Sequence, residues 1–278
     1  MKVGLVQLSV TDDPAVNLPV TLDLIRQAAA AGAGFVLTPE MTNCLSSDRA
    51  HQSAVYAYED DDPTLAALRA EAARLGVWLL VGSLGLLTGD EDGRFANRSF
   101  LIAPGGAIAA RYDKIHMFDV NVSDTEQYRE SAGYRPGARA VLAKTPFARI
   151  GMTVCYDLRF PHLYRRLAQA GAEILTVPAA FNDTTGAAHW ESLLRARAIE
   201  NGCFVLAPAQ CGNHAAHTPG RPRRTHGHSL AVAPWGEVLA DGGAEVGVTL
   251  VDLDLPQVAK ARARVPSLSH DRDFEGPL

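Results

Sequence analysis

The chain has 278 residues, 47% of them hydrophobic but only 7% aromatic, so its core rests on Ala, Val, Leu and Ile. Its 26 Lys and Arg stand against 31 Asp and Glu, and a net charge of −5 excludes a general attraction to nucleic acid or to an anionic membrane. No apolar run reaches the length of a transmembrane helix, and the opening MKVGLVQLSVTDDP lacks the long apolar core and cleavage site of a secretory leader; the expectation is a cytoplasmic protein.

In chain order, KVGLVQLS reads as a strand, NLPVTLDLIRQAAAAG as a helix ending near glycine, and GFVLTPE as a strand ending on Glu40. DPTLAALRAEAARLG is a second helix and VWLLVGSLGLL a third strand. The rhythm then changes. GRFANRSFLIAPGGAIAARYDKIH carries no helical period and reads as a hairpin turning at APGGAI, so part of the sheet is antiparallel. Residues 118–136 are polar and read as a long loop. RIGMTVCYD (strand), LYRRLAQAG (helix), AEILTVPAAF (strand), AAHWESLLRARAIENG (helix) and CFVLAPAQ (strand) resume the alternation. A hairpin at GHSLAVAPWGEVLAD, a strand at EVGVTLVDLDL and a helix from Pro256 complete it. The two halves share an order of βα units followed by a strand pair, with no linker between them. One domain over residues 1–278 is expected, an α/β protein built as a four-layer α-β-β-α sandwich with mixed sheets.

The candidates for chemistry stand where apolar strands end abruptly: Glu40 after VLTP, Lys114 in RYDKIHMFD, Cys155 after MTV. From the residues alone, Cys155 can be a small buried hydrophobe, a metal ligand, half of a disulfide or a nucleophile. A disulfide framework is not expected from four cysteines without a CxxC pair or a secretion signal. Cys203, opening an apolar strand, reads as core; Cys211 reads as a strand-exit residue that lines a pocket or packs; Cys44 lies four residues beyond Glu40. A zinc site from Cys211, His214, His226 and His228 matches no ligand spacing. His116 and Asp157 read as structural hydrogen-bonding groups.

TPEM around Glu40, RYDKIHMFD around Lys114, RESAGYRPG around Glu130 and GMTVCYDLRFP around Cys155 occur in that order. With LTVPAAFNDTTGAAHWESLLRARAIENGCFV and HGHSLAVAPWGEVLA, they resemble the nitrilase, or carbon-nitrogen hydrolase, superfamily over essentially the whole chain. The resemblance implies the α-β-β-α sandwich, a homodimer or higher homo-oligomer, and no metal or organic cofactor. It implies Cys155 as nucleophile, Glu40 as general base, Lys114 as the cation beside the oxyanion, and Glu130 near the reacting ammonia or water. The expected reaction is hydrolysis of a linear amide to acid and ammonia through a cysteine thioester, with Lys114 and the backbone N–H of Tyr156 on the oxyanion.

YDLRFP and AAFNDTTGAAHW are similar to the Nit branch of that family, which holds omega-amidases and deaminated glutathione amidases. The implied partner is a small-molecule amide bearing a carboxylate, not a nucleic acid or a membrane. Arg159 is then the expected carboxylate clamp, or else a member of an ion pair, with Phe181 and Thr185 along the same pocket. Ala-Gln-Cys-Gly after the late strand favours deaminated glutathione. The alternatives are omega-amidase activity on 2-oxoglutaramate, hydrolysis of an N-carbamyl amino acid, and an inactive small-molecule binding protein. Arg221, Arg223 or Arg224, in TPGRPRRTHGH, would meet a second carboxylate at the pocket mouth, or form a solvated surface loop.

Overall fold

The computed structural model describes residues 1–124, 126–215 and 223–276. The first half runs β1 (Lys2–Gln7), α1 (Pro14–Ala30), β2 (Phe35–Leu37), α2 (Arg49–Val55), α3 (Pro63–Leu75), β3 (Trp78–Leu86), β4 (Ala96–Ile102) and β5 (Ile108–Asp113). A bridging segment follows, with β6 (Asp119–Ser123), β7 (Glu126–Arg129) and a 3-10 turn Glu130–Ala132. The second half runs β8 (Val141–Lys144), β9 (Arg149–Met152), a 3-10 turn Cys155–Arg159, α4 (Pro161–Gln169), β10 (Ile174–Thr176), α5 (Asp183–Asn201) and β11 (Phe204–Ala207). Then come β12 (Cys211–His214), β13 (Arg223–His226), β14 (Leu230–Val232), β15 (Val238–Asp241), β16 (Gly247–Asp252) and α6 (Pro256–Arg264).

Two six-stranded mixed sheets result, ordered β16-β1-β2-β3-β4-β5 and β15-β14-β11-β10-β9-β8. Each has three parallel central strands, β1-β2-β3 and β9-β10-β11, with antiparallel strands outside them. Alternation along the strands explains the layering. Phe35 and Leu37 of β2 face the second sheet and pack with Ile150, Met152 and Ile174, whereas Val36 between them packs with Ile25 and Ala28 of α1 and Leu68 of α3. Helices α4 and α5 cover the outer face of the second sheet through Leu163, Leu167, Leu194 and Ala198. The architecture is the expected four-layer α-β-β-α sandwich.

Local signals set the helix ends. Asp13 caps α1 by accepting the Ala15 N–H, Asp62 caps α3 by accepting the Leu65 N–H, and each helix opens on proline. Buried positions Asn17, Thr21, Leu24, Ile25 and Ala28 follow the 3.6-residue period of α1. Among the described residues, no helix is long and apolar enough to cross a membrane.

Two readings need correction, and one helix was not foreseen. Residues 118–136 are not a plain loop: β6 and β7 form an antiparallel hairpin, pairing Asp119 with Arg129 and Val120 with Tyr128. Its inward positions are only half-buried, so the period-2 signal lacks apolar contrast. Residues 49–55 form the short helix α2, capped by Asp48 through the N–H groups of Ala50 and His51. Strand β9 ends at Met152, and Cys155 opens a 3-10 turn in the left-handed region, at φ +49°.

Candidate active site

Glu40 leaves the carboxyl end of β2 through a tightly pinned turn. Thr38 Oγ1 accepts the Gly82 N–H at 3.1 Å, and Ser83 Oγ accepts the N–H of Met41 at 2.9 Å. Met41 itself takes a left-handed φ of +58°. Strand β3 passes so close under this turn that a Cβ on Gly82 would lie 2.2 Å from Thr38 O. Lys114 follows β5 directly; its N–H donates to Asn97 O at 3.0 Å and its carbonyl accepts the Gly137 N–H at 2.7 Å. Gly137 stands where a Cβ would meet Asp113 O at 2.2 Å, which accounts for the glycine ending RESAGYRPG.

Cys155 belongs to the second sheet. Its N–H donates to Pro178 O at 2.9 Å. Asp157, fully buried, ties this turn to the first sheet's machinery. Its Oδ2 accepts the Tyr112 hydroxyl at 2.7 Å and the Val154 N–H at 2.8 Å, and its Oδ1 accepts the His116 N–H at 3.0 Å. His116 Nδ1 lies 2.7 Å from the same Oδ1. Both residues therefore serve as struts between the Lys114 segment and the Cys155 turn.

The charged side chains converge. Glu40 Oε1 accepts from Lys114 Nζ and from Asn97 Nδ2, both at 2.9 Å, and Oε2 accepts the Ala180 N–H at 2.8 Å. Lys114 Nζ also donates to Glu130 Oε1 at 2.9 Å and Oε2 at 2.8 Å, and Glu130 Oε2 takes the Phe118 N–H at 2.6 Å. Burial opposes ionisation of Glu40, but the Lys114 charge and hydrogen bond, with hydrogen bonds from the Cys155 thiol and the Ala180 N–H, outweigh it and lower its pKa to about 2. For Lys114, burial likewise disfavours the charge, yet Glu130 and Glu40 hold the ammonium protonated well above its ordinary range. Burial first, then the negative charge of Glu40, push the Cys155 thiol far up, against the opposing pull of Lys114. These influences favour a neutral thiol beside an ionised carboxylate in the resting site.

Sequence reasoning missed Asn97, which bridges the two carboxylates: its Nδ2 lies 2.9 Å from Glu40 and 3.3 Å from Glu130. No signal marked it, because Asn97 stands beside Arg98 and Ser99 in the polar start of ANRSFLI.

These groups form the floor of a cavity of about 540 Å³. Glu40, Lys114, Glu130, Cys155, Tyr156, Phe181 and Thr185 all line it. Arg159 does not. Its guanidinium lies over the Phe181 ring, 5.4 Å from the centroid, with Nη2 3.3 Å from His189 Nδ1. Among the described residues Arg159 has no ion pair, so the second of its two readings has no support here. Arg223 lines the cavity, Arg224 pairs with Asp183 at 3.2 Å, and Arg221 lies outside the described residues.

The other cysteines are elsewhere. Cys44 and Cys203 are fully buried, and Cys211 is buried in β12 opposite His226 of β13. Burial raises their pKa values to about 12, 11 and 11 respectively. Cys155 is the one that lines the cavity. His214 is held between Val10 O (2.8 Å) and Thr225 Oγ1 (2.7 Å), and no cluster of three or more His, Cys, Asp or Glu able to hold a metal occurs among the described residues.

A buried thiol, a paired lysine and two carboxylates at the strand ends of a doubled α/β sheet define a cysteine hydrolase of carbon–nitrogen bonds. The sequence pattern of the Carbon-nitrogen hydrolase family matches residues 2–263, and the chain belongs to that family. It is 42% identical over 272 residues to a deaminated glutathione amidase of Yersinia enterocolitica, covering 97% of this chain and 92% of that protein. It is 34% identical to a human omega-amidase, covering 98% of this chain and 95% of that one. The fold matches the NitFhit protein of C. elegans with a TM-score of 0.88 and 32% identity, over 98% of this chain and 65% of that one. The protein is an amidase that uses cysteine chemistry on a linear amide.

Proposed function

We propose that this amidase acts on deaminated glutathione, with Cys155 as nucleophile, Glu40 as general base and acid, and Lys114 and the Tyr156 N–H as oxyanion donors. The carrying observation is the Glu40 carboxylate, fixed at one oxygen by Lys114 and Asn97 and at the other by Ala180, in the same cavity as the Cys155 thiol. A thiol so far above its ordinary pKa needs a base at the moment of attack, and Glu40 is that base.

The steps follow from these positions. Glu40 takes the thiol proton as Sγ attacks the scissile carbonyl carbon. The Tyr156 N–H, in the first turn of the 3-10 helix and without a backbone acceptor among the described residues, meets the oxyanion with Lys114. Glu40 returns the proton to the leaving nitrogen as the C–N bond breaks. Glu40 then deprotonates a water that attacks the thioester, releasing the acid and restoring the thiol. Glu130 holds the Lys114 ammonium in place throughout.

One expectation changes with this substrate. Ammonia is the product from 2-oxoglutaramate, whose amide is primary. Deaminated glutathione joins a 2-oxoglutaryl group to the amine of cysteinylglycine, so that dipeptide leaves instead. The shared product is 2-oxoglutarate. Tyr156, Phe181 and Thr185 line the wall proposed for the acyl chain, with Arg159 meeting its carboxylate once the guanidinium swings round the Phe181 ring.

The chain is proposed to act as one domain. Exposed Ile199, Trp235, Val238 and Leu239 favour a homodimer, which sedimentation would measure, and four cysteines without a disulfide suit the cytoplasm. The test of substrate is 2-oxoglutarate release, comparing kcat/KM for deaminated glutathione and 2-oxoglutaramate. A preference for the first supports the proposal; a preference for the second makes the protein an omega-amidase.

A further inference from the structure

Resting on that reading of the substrate, we infer that Arg223 is the receptor for the second carboxylate of deaminated glutathione, the one at the glycine end of the leaving group, and so sets substrate choice.

Arg223 opens β13 and lines the same cavity as Cys155. Its Nη2 donates to Ala180 O at 3.1 Å, and its guanidinium lies over the Tyr128 ring at 5.7 Å from the centroid. Two neighbours thus hold the arginine while leaving most of its five N–H donors unused. Among the described residues no carboxylate lies within ion-pair distance of it. Arg49 and Arg129 of the same cavity also bond to carbonyls and an amide, but both are exposed, whereas Arg223 is half-buried. Lys114 is neutralised by two glutamates, Arg224 pairs with Asp183, and Glu126 is taken up by the Tyr128 hydroxyl and the Asn182 amide, both at 2.7 Å. Arg223 is half-buried in a cavity wall with an unmatched positive charge, which a ligand carboxylate would match.

Its reach is suitable. Ala180 gives its N–H to Glu40 and its carbonyl to Arg223, so one residue separates the guanidinium from the reacting carboxylate. Standard backbone dimensions put Arg223 Nη2 no more than about 10 Å from Glu40 Oε2. Cysteinylglycine adds two residues beyond the scissile carbonyl, and two extended residues span about 7 Å, leaving one hydrogen-bond length to the guanidinium. A 2-oxoglutaramate molecule has nothing on that side of the scissile bond except NH₂.

The experiment measures kcat/KM for both substrates in wild type, Arg223→Gln and Arg223→Lys. The Gln variant is expected to lower the ratio of deaminated glutathione to 2-oxoglutaramate at least tenfold, through KM rather than kcat, and Lys to restore part of it. A second readout uses the product: cysteinylglycine should inhibit the wild type more strongly than cysteinylglycinamide, and Arg223→Gln should erase that difference. An unchanged ratio overturns the inference, whether both activities fall together, which would place Arg223 on the acyl side, or neither falls. Lack of wild-type turnover of deaminated glutathione would instead refute the substrate reading, which the wild type alone decides.

Discussion

The floor and the rim of the cavity are built on different terms. The floor is carried by the ends of strands in the two six-stranded sheets: the first sheet supplies Glu40, Asn97 and Lys114, and the second supplies Cys155 and the Ala180 N–H. Its carboxylates and its ammonium pair with one another at 2.8 to 2.9 Å, and the Asn97 amide bonds both carboxylates at 2.9 and 3.3 Å. The rim is carried by the two-stranded hairpins β6–β7 and β12–β13 and by the short helix α2, all outside the main sheets. Several of its side chains are exposed, such as Arg129 and Arg49, which among the described residues bond to carbonyls and an amide. The floor performs a reaction common to a family; the rim is free to vary with the substrate.

If that division is right, floor substitutions act on kcat and rim substitutions on KM. The largest effect is expected from Cys155→Ala, which should abolish turnover of every amide, a loss of about 10⁴-fold or more, while leaving the thermal midpoint close to that of the wild type. Glu40→Gln should cost a comparable amount, because the thiol then has no base; general-base losses are typically about 10²- to 10⁴-fold. Gly82→Ala should disable the floor without touching a reacting group, since the added methyl would drive into Thr38 and Pro39 and displace Glu40; a crystal structure would reveal the shift. Normal activity in Gly82→Ala would break the claim that this turn aims Glu40.

Acid separates the two regions. In the proposed mechanism Glu40 acts as its anion, so activity is expected to be lost as pH falls through its pKa. With that pKa lowered by Lys114, kcat/KM per folded enzyme should stay flat down to about pH 5, below which ordinary carboxylates, with values of about 4.3, begin to titrate. The rim's strut behaves differently. Burial lowers the His214 pKa to about 4, so the unfolded chain binds a proton between about pH 6.5 and pH 4 that the folded chain refuses. Stability is therefore fully present above pH 6.5 and is lost as pH falls towards 4, by up to about 3 kcal/mol. Urea titrations at pH 7 and pH 4.5 should differ more in wild type than in His214→Gln. The smallest effect is expected from Tyr128→Phe. It removes the hydroxyl that Glu126 accepts, but keeps the ring under Arg223, and should change KM severalfold with kcat intact.

The same contrast explains what could be read from the sequence. Strand ends singled out Glu40, Lys114 and Cys155 as candidates, and the resemblance carried by TPEM, RYDKIHMFD and GMTVCYDLRFP supplied their expected roles. The alternating strands and helices disclosed both sheets. Asn97 was not legible, because its role depends on two carboxylates 57 and 33 positions away along the chain. The β6–β7 hairpin escaped notice because residues such as Asp119, Asn121 and Gln127 give no hydrophobic alternation. Arg159 was assigned a substrate carboxylate from the YDLRFP resemblance and its planar fork; its guanidinium lies over the Phe181 ring and beside His189.

The most direct test of the central claim is acid quench during turnover of deaminated glutathione, followed by peptide mass analysis. The account predicts a 2-oxoglutaryl thioester on the peptide carrying Cys155, absent in Cys155→Ala, and none on peptides carrying Cys44, Cys203 or Cys211. Steady turnover with the acyl group on another cysteine, or undiminished turnover by Cys155→Ala, would contradict it.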